Sequence, residues 1–286
     1  MADTTRVAIV TDSTADLPAD YRERHGITMV PLNVHLGDQT WRDQVDLTTP
    51  HFMELLAQSD QFPTTSQPSA GVFEQAFREL ASTHDEIVCV LISSRLSGTV
   101  QSAQIAATAV ADTIPVEVVD SLNASLGCGF QLMHAQRLAD AGQRAEVIAA
   151  TLRTQTSRYH TIFFVETLDH IRRGGRIGKA ASLVGSMLKL KPLLRIDEGQ
   201  VVPFERTRTR RKAIDALVEF AENLTGIERI GVLHNTTPDD AEALYARVAH
   251  LARHQTEVPI AMVGPVLGTH VGPGTLGLAI EVAPSE

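Results

Sequence analysis

Six consecutive apolar residues, 87–92, lead into a cluster of hydroxyls around a glycine and then into an alanine-rich stretch. The run is too short for a helix and rich in β-branched side chains, so it predicts a buried strand. Ser93, Ser94, Ser97 and Thr99 surround Gly98 and therefore fall on a strand-to-helix turn. Unpaired backbone N–H groups, the positive end of the helix dipole and small donors meet at such a turn, which makes it an anion site in outline. The same residues also fit a simpler role, with Ser97 capping the helix.

The pattern repeats along the first half. Residues 6–10 read as a strand closed by Asp12, Ser13 and Thr14, and Pro18 opens a short helix. Residues 27–34 read as another strand, turning through 36–39 toward Trp41. A helix starts at Thr49-Pro50. Pro63 and Pro68 hold 62–69 extended before a helix with Val72, Phe73, Ala76, Phe77 and Leu80 at helical spacing, which makes 64–69 a third hydroxyl-rich loop. A strand over 116–119 and helices over 126–139 and 145–156 complete this half. Strands alternating with helices predict an α/β fold with a parallel sheet covered on both faces, whose ligands lie beyond the carboxyl ends of the strands. That topology carries the loops at 12–14, 64–69 and 93–99 toward one crevice.

The second half changes character. A strand over 161–165 precedes LDHIRRGGRIGK, an apolar helical segment spans 180–190, and 193–196 pairs with 200–204 as a hairpin. A helix over 213–223 follows, then one started by Thr237-Pro238, and strands over 260–263 and 276–282 joined by a glycine-rich loop. This predicts a mixed, partly antiparallel sheet in a second α/β domain. The boundaries are 1–158 and 159–286.

At 286 residues, 43% hydrophobic and 21% charged, the chain has the make-up of a globular protein with a substantial core. The formal charge of −9 argues against nucleic acid as a partner and leaves at most transient contact with a membrane surface. Cys89 and Cys128 have no metal-like spacing, and the first residues lack a signal-peptide core, so reduced thiols and a cytoplasmic address are expected. The glycines at 174–178 fail the phosphate-loop spacing, Leu132 breaks the dinucleotide pattern begun at Gly127, and neither H-E-x-x-H nor G-x-S-x-G occurs. No metal or cofactor is expected. His270, between Gly268 and Gly272, reads as a histidine in an open loop, facing either a cleft or solvent. Arg206, Arg208, Arg210, Arg211 and Lys212 oppose the dipole of the helix they precede. An acidic or phosphate-bearing partner would explain them, with Arg172, Arg173 and Arg176 on the same surface.

Taken in order, VTDSTADLP, PTTSQPS, ISSRLSGTVQSA, LDHIRRGGRIGK, TRTRRKA and GTHVGPGTLG resemble the DegV family of bacterial fatty-acid-binding proteins, including the FakB subunits of fatty acid kinase. The resemblance implies a two-domain α/β protein that holds one long-chain fatty acid between its domains. Its carboxyl group would be bound by Thr65, Ser97 and His270, with Ser66 and Gly98 adjacent. It further implies that a separate ATP-binding kinase subunit phosphorylates the bound acid to an acyl phosphate, so the chain is a carrier and not a catalyst. Arg172, Arg173, Arg176, Arg206, Arg208 and Arg210 would dock that subunit, and apolar residues of 130–138 and 180–190 are candidates to line the tail, with ordinary core the simpler role for each. The alternative from another class is an acyl hydrolase or transferase with Ser97 as nucleophile, His270 as base and Asp12 as the orienting acid.

Overall fold

The protein, as a computed structural model, is described over residues 5–183 and 190–284. The first half runs β1 (Val7–Asp12), α1 (Ala19–Arg24), β2 (Thr28–Val30), β3 (Asn33–Leu36), β4 (Gln39–Arg42), α2 (Thr49–Gln58), β5 (Thr64–Ser66) and α3 (Ala70–Leu80). It continues through β6 (Glu86–Leu91), α4 (Thr99–Ala109), β7 (Val116–Asp120), α5 (Leu126–Asp140) and α6 (Ala145–Thr154). The second half comprises β8 (Tyr159–Phe164), α7 (Asp169–Arg173), β9 (Lys191–Asp197), β10 (Gln200–Thr207), α8 (Arg210–Glu222) and β11 (Ile227–His234). It closes with α9 (Pro238–Val248), β12 (Ile260–Met262), α10 (Pro265–Val271) and β13 (Leu276–Val282).

Strands β2-β1-β6-β7 form a wholly parallel sheet. Every residue of β6 is buried, because helices cover both faces, which is why its sequence is apolar from Ile87 onward rather than alternating. A small antiparallel sheet, β4-β3-β5, sits beside it. The second half forms a six-stranded sheet, β10-β9-β8-β13-β11-β12, antiparallel except for the β11–β12 pair. The α/β class, the parallel first sheet and the mixed second one match expectation.

Helix α5 lies between the two large sheets. Leu126 to Met133 are buried without interruption, and the helix packs on β1 and β6 of one sheet and on β8 and β13 of the other. A helix apolar on all sides has no face to give to water. The largest apolar cluster accordingly draws on both halves, joining Ile9, Val88 and Val90 to Phe163, Leu233 and Ala279.

Four local expectations change. The strand over 27–34 breaks at Pro31, which has no N–H for a sheet ladder, and its two pieces enter different sheets. The hydroxyl-rich segment at 64–66 is a strand and not a loop. The basic residues at 210–212 lie inside α8, because Thr209 caps that helix by accepting the Lys212 N–H. The glycine-rich segment near the C-terminus folds into α10, with Thr269 returning a hydrogen bond to the Pro265 carbonyl at 3.0 Å. Of the apolar stretch over 180–190, Gly178–Leu183 is a 3-10 helix and 184–189 lie outside the described residues.

Candidate functional site

A pocket lies where the sheets meet. Its walls are chiefly apolar: Ile92 and Leu96 beyond β6, Phe163 from β8, Ile196 from β9, Val201 from β10 and Leu233 from β11. Helix α10 and the residues before it close one side with Val263, Val266, Leu267 and Val271. Ser125 and Thr161 also line it, but each hydroxyl donates into the protein, to Asp16 Oδ2 at 2.5 Å and to Asn123 Oδ1 at 2.7 Å. Their protons are therefore spoken for, and neither demands a polar ligand.

The remaining polar groups gather at one end. Thr65 and His270 meet at 2.9 Å between Oγ1 and Nε2, bringing β5 against α10. Ser97, between β6 and α4, lines the same pocket, with its Oγ 2.8 Å from Thr99 Oγ1. Arg176 reaches in from beyond α7, donating through Nε to the Leu96 carbonyl at 3.1 Å and through Nη1 to the Gly174 carbonyl at 2.7 Å. It is the one formally charged side chain lining the pocket among the described residues.

His270 is nine-tenths buried in α10, not held in an open loop. Burial, with smaller contributions from Arg176 and His170, lowers its pKa to about 4, so the ring is neutral near pH 7. A neutral imidazole has one donor and one acceptor nitrogen. Nε2 faces Thr65, while Nδ1 is buried without a partner and lies over Gly174, where a Cβ would strike it. Glycine at 174 is what lets the segment after α7 close over the ring.

Of the residues the sequence put forward, Thr65, Ser97 and His270 line one pocket together. Ser66 lies at its rim, but alternation along β5 turns its hydroxyl the other way, to His35 Nε2 at 2.9 Å and Asn33 Nδ2 at 3.4 Å. Gly98 occupies the cap position of α4, so Ser97 is not the cap. A Cβ at 98 would lie 2.9 Å from Gln67 Nε2, so the glycine allows the 64–69 segment to approach α4.

The arginines separate into two groups. Arg172 and Arg173 are exposed, the first 3.5 Å from Asp169 and the second stacked 4.0 Å above the Phe62 ring. Arg206 and Arg208 are exposed at the end of β10 and just beyond it. Arg176 belongs to the pocket instead. Arg210 is tied inward, to Asp240 at 2.7 Å, Glu166 at 2.8 Å and the Gly274 carbonyl at 2.7 Å. Sequence spacing flagged the cations but carried no sign of which would turn inward.

A hydrolase constellation is not assembled. Ser97 pairs with Thr99 and His270 with Thr65. Asp12 is buried behind the pocket, accepting from the Thr14 hydroxyl at 2.5 Å and the Ile92 N–H at 2.8 Å. Among the described residues no group of histidines, cysteines and carboxylates is placed to hold a metal ion, and no helix is long and apolar enough to cross a membrane.

Comparison with known proteins places this pocket in company. A DegV domain-containing protein of Streptomyces coelicolor is 40% identical over 278 residues, 96% of this chain and 98% of its own. Among solved structures, a DegV family protein of Thermus thermophilus described by its fatty acid binding superposes with a TM-score of 0.89 at 37% identity, over 98% of this chain and 100% of its own. DegV of Bacillus subtilis, described as a fatty acid binding protein, does so with 0.88 at 35%, again over 98% and 100%. The family profile described as "Uncharacterised protein, DegV family" matches residues 6–283, which is the whole span of both sheets and of the pocket between them, and the chain belongs to that family.

Proposed function

We propose that this protein holds one long-chain fatty acid in the pocket between its two sheets and presents the carboxyl group to a partner ATP-dependent kinase for acyl-phosphate formation. The observation that carries the reading is the pocket itself, apolar along its length and polar at one end, where Thr65, Ser97 and neutral His270 collect. Relatives of 35–37% identity described as fatty acid binding support it. Burying about fifteen methylenes at ~0.8 kcal/mol each is worth on the order of 10 kcal/mol before binding costs, so the tail dominates affinity. The head group then sets orientation. Thr65 and Ser97 hydroxyls offset desolvation of the carboxylate, and Arg176 supplies the counter-charge.

The carrier itself transfers no phosphoryl group in this reading, and its only bound molecule is the cargo. The chain divides into a domain over 1–158 and one over 159–286, with the acid between them, and works in the cytoplasm. Arg172, Arg173, Arg206 and Arg208, exposed and not committed to the pocket, are the cations available to dock an acidic or nucleotide-bearing kinase.

Native mass spectrometry of the purified protein, followed by extraction and lipid identification, tests the cargo. One intact fatty acid per chain is expected, and an acyl group left covalently on Ser97 would refute the carrier reading. Adding kinase and ATP then tests the second step, in which acyl phosphate must form on the bound acid.

A further inference from the structure

Behind the wall of the pocket three carboxyl groups are buried together: Asp12 at the end of β1, Asp16 one short turn later and Asp43 just after β4. Two of them reach across to the second half of the chain. Asp16 Oδ1 accepts the Gly264 N–H at 2.9 Å, and Asp43 Oδ1 accepts the Val266 N–H at 3.3 Å. Gly264 and Val266 open α10, the helix that carries His270. Asp16 Oδ2 also accepts a hydrogen bond from the Ser125 hydroxyl at 2.5 Å, Ser125 being a pocket residue held at φ +52°. The second oxygen of Asp43 is buried and makes no hydrogen bond within 3.5 Å among the described residues, with the Ser13 side chain beside the carboxyl group.

These bonds matter because α10 is a wall of the pocket, supplying Val266, Leu267, His270 and Val271. A tail lodged against this wall exchanges faster when the wall moves away from it. The segment around α10 is bounded by Gly264 and by Gly272 at φ +76°, so it is a piece the chain can swing. The pair of carboxyl groups fixes its start to the first half, beside the Thr65–His270 contact and the packing of Val266 on Leu32, Val34 and Phe52.

We propose that Asp16 and Asp43 are positioning residues that latch α10 against the N-terminal sheets, and that ionising the latch loosens it, so that bound acid exchanges faster at alkaline pH. The proposal rests on the fatty-acid reading of the pocket. Among the described residues no lysine or arginine is among the charges acting on either group: Asp16 faces Asp12 and Asp43, and Asp43 faces Asp12. Their other neighbours are uncharged, namely Ser13, Gln44 and Ser125, with Cys128 from α5. The titratable side chain of α10 is His270, with its pKa lowered to about 4.

Burial raises Asp16 to about 8 and Asp43 to about 7. An open latch returns both to water and to the ordinary carboxylate range. The open form is then ionised from about pH 5 upward, while the closed form keeps its protons into the range of about pH 7 to 8. The closed form binds more protons, so raising pH through that window favours opening. His270 stays neutral across it.

The test uses the full-length protein loaded with cis-parinaric acid, whose release into excess albumin is followed by stopped-flow fluorescence from about pH 6 to about pH 9. Wild-type release should accelerate about tenfold or more. The double variant Asp16→Asn, Asp43→Asn, whose amide oxygens still accept the two N–H groups, should release slowly and independently of pH. Asp43→Ala, which leaves the Val266 N–H without its acceptor, should release fast at every pH. A flat wild-type profile, or a slope that survives in the double asparagine variant, overturns the latch. Amide hydrogen exchange over 264–271, corrected for intrinsic base catalysis, reads the same opening without ligand: protection should fall with pH in the wild type and stay level in the asparagine variant. A wild type that opens this way but takes up no parinaric acid would overturn the fatty-acid reading and leave the latch standing.

Discussion

Thr65 and His270 hold each other at 2.9 Å across a junction of β5 and α10 that no single stretch of sequence encodes. In the proposed reading, with the ring neutral, head-group capture depends on hydroxyl donors, on Arg176 and on the geometry of the junction. Removing the donors by Thr65→Val with Ser97→Ala should weaken fatty-acid binding about tenfold or more, since each hydrogen bond contributes about 1 kcal/mol. The melting temperature of the lipid-free protein should stay within about 2 °C, which separates the effect from misfolding; fluorescence displacement and a thermal melt measure the two. The hydroxyl clusters that contain Thr65 and Ser97 were legible in the sequence, but only the family resemblance singled out these two residues within them. His270 was legible as a residue but not in its setting, since glycines at 264, 268, 272 and 274 read as loop. Arg176 was misread as a surface cation because its place depends on a close approach over His270 that requires Gly174, a contact of the third dimension alone.

Among the elements, the strands and long helices follow from periodicity, and the exceptions have local causes. Pro31 splits one predicted strand, and α10 survives four nearby glycines because Asp16 and Asp43 satisfy N–H groups at its start. A deeper feature escaped the sequence altogether. Glu281, in an otherwise apolar β13, is fully buried and binds Arg158 at 3.0 Å, Arg229 at 2.6 Å and, at 3.5 Å, Arg137 of α5. Periodicity sees only a polar interruption there, because its partners come from three separate elements. Removing one member of a buried charge network leaves the others uncompensated, at a cost of about 3–5 kcal/mol. Glu281→Ala should therefore lose stability in that range in urea unfolding, while Arg211→Ala, at an exposed position on α8, should change it by less than about 0.5 kcal/mol.

On the scale of the whole molecule, charge and core divide the work. Arg172→Glu with Arg208→Glu should lower kinase turnover on the bound acid at least about tenfold at low salt, and leave the protein's affinity for the acid within about twofold. Kinase assays and lipid titrations distinguish the two; equal loss of both would refute docking through these side chains. Arg210 is unsuited to that test, since its bonds to Asp240, Glu166 and Gly274 brace the second half. The core has its own consequence. Phe163, Ile171, Val201, Leu233 and Val263 belong to the largest apolar cluster and also face the pocket. Cargo and core are thus one continuous interior, and an occupied protein should melt higher than an empty one by an amount that grows with free acid over its dissociation constant. Differential scanning calorimetry with and without oleate reads this. On the proposed carrier reading, occupancy then becomes a mechanical property, with a filled chain expected to be stiffer than an empty one. A kinase of the proposed kind that grips both halves at once would then sense which form it has met without touching the acid.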